Sequence, residues 1–98
     1  MSCRLTVQPE AEAELADAFR WYERQREGLG REFLTSIEAC LASILRAPES
    51  YSAVHKHVRR AVIRRFPYSV LYVIEERAVV IVAVFHASRD PKRRRERV

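Results

Sequence analysis

The stretch SVLYVIEERAVVIVAVFH, Ser69–His86, decides the fold. Its first part, Ser69 to Ile74, is rich in β-branched and aromatic residues, and its last part, Val79 to Phe85, is apolar throughout. Both compositions are typical of β-strands, and an apolar strand without polar alternation is typical of a sheet centre buried on both faces. The charged residues between the two parts, Glu75 to Arg77, predict a hairpin turn that joins them.

The segments before this hairpin predict a short strand and two helices. Cys3 to Val7 alternates apolar and polar residues, which is a strand pattern. From Pro9 to about Arg26 the apolar residues recur at helical spacing, and Gly28-Leu29-Gly30 ends that helix. A second amphipathic helix follows and ends before Pro48. Because the connector is so short, we expect the two helices to form an antiparallel hairpin.

The middle of the chain completes the predicted fold. Glu49 to Lys56 is predicted to be a polar loop, and Val58 to Phe66 (VRRAVIRRF) a strand with arginines on both faces. The order β-α-α-β-β-β predicts an α+β domain, with the helical hairpin packed on one face of a small, mostly antiparallel sheet. We expect the other face to be open, or covered by a partner, and to present arginines.

The composition is that of one folded domain, 1–98, with 92–98 as a basic tail. Of its 98 residues, 48% are hydrophobic and 32% are charged, which excludes a disordered chain. No apolar run approaches the roughly 20 residues of a membrane span, and the first residues lack the features of a secretory signal. We therefore expect no membrane association and a cytoplasmic location. Cys3 and Cys40 have no metal-ligand spacing and are expected to be small buried residues, so neither a metal nor a cofactor is expected.

Charge divides the chain into two unlike halves. Residues 1–50 contain six arginines and nine acids, a net charge of −3, whereas residues 51–98 contain ten arginines, two lysines and four acids, a net charge of +8. Guanidinium groups are planar, bidentate donors that suit phosphate and carboxylate. The second half is expected to bind an anionic partner, either nucleic acid or an acidic protein segment, although a solvated basic face is the simpler alternative.

The candidate binding residues are the arginines of the predicted strand and of the chain end. They are Arg59, Arg60, Arg64, Arg65, Arg89, Arg93 and Arg94. Edge strands also carry charges simply to prevent strand-to-strand aggregation. Four arginines within seven positions exceed that need, so we favour a binding role.

His86 is the candidate for proton transfer, because imidazole titrates near neutral pH. It stands where the apolar strand ends, and Arg89 follows three residues later. The alternative for His86 is a half-exposed side chain that bonds to a loop, and Arg89-Asp90-Pro91 is also typical of a turn.

Three stretches together resemble the RelE/ParE superfamily of toxins from type II toxin–antitoxin modules of the plasmid stabilisation type. They are WYERQREGLGREFL, VRRAVIRRFPYSVLY and VFHASRDP. The resemblance covers nearly the whole chain in the same element order. It implies a cytoplasmic toxin that inhibits growth until a cognate antitoxin neutralises it. An acidic or amphipathic antitoxin segment would cover the groove, and operator DNA would be bound only through the antitoxin.

Members of this superfamily divide between two activities. RelE-like toxins cut messenger RNA in the ribosome without a metal, whereas ParE-like toxins poison DNA gyrase. For a ribonuclease, the catalytic residues would be His86, Arg89 and Arg65, supplying proton transfer and phosphate binding. Many ribosome-dependent members carry an arginine directly after the tyrosine that corresponds to Tyr68, where this chain has Ser69. We therefore favour gyrase, with messenger RNA cleavage as the alternative and an inactive antitoxin-binding co-repressor as a third possibility.

Overall fold

The fold is an α+β domain with two helices on one side of a five-stranded sheet, as a computed structural model describes it for residues 4–88. In chain order the elements are β1 Arg4–Val7, α1 Pro9–Gln25, α2 Leu29–Arg46, β2 Ala53–His55, β3 Val58–Val62, β4 Tyr68–Glu75 and β5 Ala78–His86. The strand order is β1-β5-β4-β3-β2. Only the β1–β5 pair is parallel among these described strands, which confirms the predicted mostly antiparallel sheet.

The hairpin of β4 and β5 forms the centre of the sheet, as its sequence predicts. Most residues of both strands are buried, and β5 is flanked by β1 on one side and by β4 on the other. Glu76, with a φ of 50°, lies in the two-residue turn that joins them. Within β5 the pairing slips once, because Leu71 pairs with Ala83 while the next residue, Tyr72, pairs with Ile81. Val82 is therefore an extra residue, and β5 contains a β-bulge.

The helical hairpin turns sharply at Gly28, whose φ of 89° is left-handed and favours glycine. The carboxylate of Glu23, near the end of α1, accepts the backbone N–H groups of Gly28 and Gly30, each at 2.9 Å. These two groups belong to the first turn of α2, where helix N–H donors have no partner within the helix. A side chain of α1 thus caps α2 and holds the two helices at a fixed separation.

The core lies between the helices and the sheet and has an aromatic centre. The rings of Tyr22, Phe33, Phe66 and Tyr68 contact one another with centroids 4.9 to 6.1 Å apart. All four side chains are buried. Each buried side chain of this size stabilises the fold by about 1.5–3 kcal/mol. Tyr68 and Tyr22 are core residues, while Trp21 packs on Tyr22 but stays exposed at 38%.

The structure corrects three expectations. Ala53–His55 forms the edge strand β2 instead of belonging to a loop; all three residues are exposed, so no hydrophobic alternation marks them. β3 ends at Val62 and not at Phe66, because Arg65 takes a φ of 73° and turns the chain. On the side of the sheet away from the helices, Leu71, Ala83 and Phe85 are fully buried. That far face is exposed at Arg60 and Val62 on β3, but it is not an open surface across β4 and β5.

No helix within residues 4–88 combines the length and the hydrophobicity that crossing a bilayer requires. Cys40 is buried on α2, as expected, whereas Cys3 lies outside the described residues.

Candidate functional site

His86 lies on the helix side of the sheet, at the end of β5. It pairs with Tyr68, and the two rings are nearly perpendicular with centroids 5.2 Å apart. Cross-strand partners share a face, and Tyr68 faces the helices, where it packs on Phe33. The Nδ1 atom of His86 accepts the backbone N–H of Ser88 at 3.1 Å. The proton of a neutral His86 ring is therefore on Nε2.

Arg59 and Arg60 point to opposite faces of β3, as the sequence predicted for this strand. Arg59 pairs with Tyr72 on the helix side and donates hydrogen bonds to the carbonyl oxygens of Glu49 at 3.2 Å and Tyr51 at 2.5 Å. It thereby anchors the segment that leads into β2. Arg60 pairs with Leu71, and its exposed side chain lies on the far face.

Arg64 and Arg65 lie beyond the end of β3, on the side of α2. The Arg65 guanidinium donates to Oε1 of Glu32 at 2.7 Å and lies 5.5 Å from the centroid of the Phe66 ring. Oε2 of the same carboxylate accepts from Arg26 at 3.3 Å. The hydrogen bond from Arg65 lowers the pKa of Glu32, with a smaller contribution from Arg26 and partial opposition from desolvation. Glu32 is thus held ionised between two arginines.

An open groove of about 830 Å³ lies between α2 and the end of β3. Its lining residues are Thr35, Ser36, Ala39, Cys40, Ala42, Ser43, Arg46, Tyr51, Val62, Ile63, Arg64 and Arg65. This set includes three arginines and no carboxylate, so the groove is positively charged. Apart from Arg46, the residues that α2 contributes to the lining have small side chains, which allow a bound segment to lie close to the helix. Burial raises the pKa of the Cys40 thiol to about 11, so this lining cysteine is a neutral, unreactive group.

Among the strands of residues 4–88, β2 pairs with only part of the β3 edge beside this groove. β2 pairs with Val58 and Arg59, and the N–H of Arg60 bonds to the Ser52 carbonyl at 3.2 Å. Val62 lies two residues further along, and its side chain is 63% exposed. The groove therefore combines an exposed strand edge with positive charge.

The structure brings some of the predicted site residues together and separates others. Arg64 and Arg65 share the groove, whereas Arg60 lies on the far face and Arg59 is engaged with main-chain carbonyls. His86 contacts the aromatic core through Tyr68. Arg89, Arg93 and Arg94 lie outside the described residues, so their predicted role is unchanged. Ser69, at the position after Tyr68, is 5% exposed and pairs with Phe85 on the far face.

Three glutamates of the two helices form hydrogen bonds that join separate elements, and they were not predicted from the sequence because mainly the basic half of the chain was considered. They are Glu14, Glu23 and Glu32. Glu14 did give a signal, because it is spaced three residues from Ala11 and four from Ala18, inside the apolar stripe of α1. Glu32 gave none, since its partner Arg65 is 33 residues away.

Comparisons with known proteins identify relatives over almost the whole chain. A family model described as the ParE toxin of the type II toxin–antitoxin system parDE matches residues 5–91. Proteins called Toxin ParE2 from two strains of Mycobacterium tuberculosis are 30% identical over 92 residues, which is 93% of this chain and 88% of the relative.

Solved structures share the fold at lower identity. A chain from the chromosomal ParDE system of P. aeruginosa has a TM-score of 0.78 at 13% identity, covering 88% of this chain and 97% of that one. A chain of the intact E. coli RelBE toxin–antitoxin complex has a TM-score of 0.60 at 21% identity, covering 89% and 99%. The isolated E. coli RelE toxin has a TM-score of 0.60 at 20% identity, covering 96% and 94%.

Proposed function

The chain belongs to the ParE toxin family of type II toxin–antitoxin systems, and we propose that it inhibits growth by poisoning DNA gyrase. The family assignment confirms the resemblance drawn from the sequence. The gyrase target is the proposal, with messenger RNA cleavage as the competing activity. A cytoplasmic location, where both targets are found, is part of the same proposal.

The observation that favours gyrase is that His86 and Arg65, the two candidate catalytic residues within residues 4–88, make different contacts. A metal-independent ribonuclease needs an acid, a base and cations directed at one phosphate. His86 packs against Tyr68 on the helix side, while the Arg65 guanidinium is paired with Glu32 beside α2. The position after Tyr68 is a buried serine and not a cation. These three placements support a target-binding toxin over a nuclease.

The groove between α2 and β3 suits the antitoxin that a toxin of this family requires. Arg46 and Arg64 line it, as does Arg65, which is paired with Glu32, so an acidic or amphipathic segment is complementary in charge to the two remaining arginines. The antitoxin is also the component through which we expect contact with operator DNA. Two of the structural relatives are named as toxin–antitoxin systems, which supports such a partner here.

The deciding experiment measures both activities on one preparation. Purified protein is expected to inhibit supercoiling by DNA gyrase and to accumulate cleaved DNA, while primer extension on cells expressing it shows no codon-linked cuts. Arg64→Glu tests the groove, and Arg77→Glu is the matched control, because Arg77 is an exposed arginine in the β4–β5 turn. We expect antitoxin binding to be lost in the first variant and kept in the second. Codon-linked cuts with unaffected gyrase would instead establish the ribonuclease.

A further inference from the structure

Glu14 is a buried carboxylate that no proposed activity employs. Its side chain projects from α1 onto the sheet and is 8% exposed. Its Oε1 accepts the backbone N–H of Val84 in β5 at 2.8 Å. A charged side chain is rarely buried unless it satisfies a specific donor, because its desolvation is costly.

The Val84 N–H needs this acceptor because β1 is too short to supply one. The last residue of β1, Val7, pairs with Ile81, and the N–H of Gln8 bonds to the Ile81 carbonyl. Val84 lies beyond that point, at a part of β5 that β1 does not reach. The Glu14 carboxylate therefore takes the place of a neighbouring strand at this edge.

The same hydrogen bond adjoins the bulge at Val82. Ile81 pairs with Tyr72 and faces the helices, and Ala83 pairs with Leu71 and faces away, with Val82 packed on that far side too. Because two residues of β5 oppose one of β4, the pairing beyond the bulge places His86 opposite Tyr68. Phe85 then pairs with Ser69 on the far face.

A regular strand without the bulge would change the face of each residue after Ile81. Leu71 would pair with Val82, and Tyr68 would pair with Phe85. A shift of one residue exchanges the two faces of a strand, so His86 would point to the far face. The bulge thus decides whether histidine or phenylalanine lies beside Tyr68.

We propose that Glu14 is a positioning residue for His86. By holding the Val84 N–H, its carboxylate stabilises the bulged register over the regular one and so places the imidazole on the helix side of the sheet. The geometric claim stands on the pairing alone. Its consequence for toxicity rests on His86 being a site residue, which is the role that the competing ribonuclease activity gives it.

The test compares Glu14→Ala with Glu14→Gln and measures the nuclear Overhauser effect between the His86 and Tyr68 rings. Glutamine keeps an acceptor oxygen, so the ring contact is retained; alanine has none, so the contact is lost. Growth inhibition by Glu14→Ala falls as far as that by His86→Ala. Glu12→Ala is the control, since Glu12 is an exposed glutamate of the same helix, and it changes neither readout.

A rescue variant separates register from simple loss of stability. Deleting Val82 in the Glu14→Ala background makes β5 regular while keeping His86 opposite Tyr68, so the ring contact returns. A ring contact that persists in Glu14→Ala overturns the proposal. So does loss of the contact in Glu14→Gln, or a folded Val82-deleted variant without it. The last two outcomes can be measured even when Glu14→Ala alone fails to fold. Ring contacts as expected with no gyrase inhibition in any protein would remove the proposed target and leave the positioning role.

Discussion

Two of the connections in this domain that contain a residue with positive φ are built differently. The α1–α2 connection places Gly28 at 89°, whereas the β3–β4 connection places Arg65 at 73°. Glycine adopts this conformation freely, while a residue with a Cβ atom loses about 1–2 kcal/mol there. The first connection carries no conformational cost, and the second retains one.

The two connections also differ in what their glutamate carboxylates bind, which is main chain at the first and side chains at the second. Glu23 accepts two main-chain N–H groups at the start of α2 and so fixes the path of the backbone. Glu32, one turn further along α2, accepts from the side chains of Arg65 and Arg26. Backbone strain of this kind is typical of functional segments. The first connection therefore fixes the path of the backbone, whereas the second holds a charged side chain beside the groove.

Among substitutions at these two connections, Gly30→Ala is expected to cause the largest loss of stability. A Cβ atom at Gly30 would lie 2.8 Å from the Phe19 carbonyl oxygen and 2.9 Å from Oε1 of Glu23. We expect the free energy of unfolding to fall by about 2–3 kcal/mol, as overpacking of a close contact does. Urea unfolding followed by circular dichroism measures it. Helix propensity alone predicts a gain of about 1 kcal/mol, so a stabilised variant would contradict the close-approach argument.

Glu23→Ala is expected to cause the next largest loss of stability. Two backbone donors lose their acceptor in a half-buried connection, so unfolding becomes easier by about 1–2 kcal/mol. Glu23→Gln keeps one acceptor oxygen and should lose about half as much in the same urea titration. If the two variants prove equally stable, the main-chain contacts are not what Glu23 contributes.

Much of the first connection could be predicted from the sequence, and little of the second. The apolar repeats of the helices and the GLG junction are local signals, and each corresponds to an element or a cap in the structure. The turn at Arg65 carries no glycine, so nothing in the sequence marks its φ. Its ion pair with Glu32 joins residues far apart in the chain, which local patterns do not predict.

The β4–β5 hairpin also has a feature that the local sequence does not predict. Its strands are evident from composition, but a bulge at Val82 leaves no trace in a run where nearly every residue is apolar. The face on which His86 lies depends on that bulge and on Glu14. The role of His86 as a site residue stays a prediction, and the face on which its side chain lies could not be predicted from the sequence.

Gly28→Ala and Arg65→Gly test the two positive-φ residues directly. Nothing lies within 4 Å of a Cβ atom at Gly28, so its replacement has only the backbone penalty of about 1 kcal/mol. Arg65→Gly removes a similar backbone penalty, which stabilises the fold. It also raises the entropy of the unfolded chain and removes the ion pair, which both destabilise the fold. Because these effects oppose one another, we expect the free energy of unfolding to change by less than about 0.5 kcal/mol. Differential scanning calorimetry measures both. A large loss of stability in Arg65→Gly would show that the arginine side chain serves the fold and not the groove.

Glu32→Gln gives the smallest expected change in stability, and that change depends on pH. The pKa of Glu32 is lowered in the folded state by its hydrogen bond from Arg65, so the ion pair stabilises the fold at pH values above the ordinary glutamate pKa of about 4.3. This contribution declines as the pH falls below that value and disappears below the lowered pKa. The Arg65 side chain is exposed and that of Glu32 is partly exposed, so the effect at neutral pH is small. Urea midpoints of the two proteins should differ slightly at pH 7 and converge in acid. A difference that is constant or grows as the pH falls would mean that Glu32 does not act through its charge on Arg65.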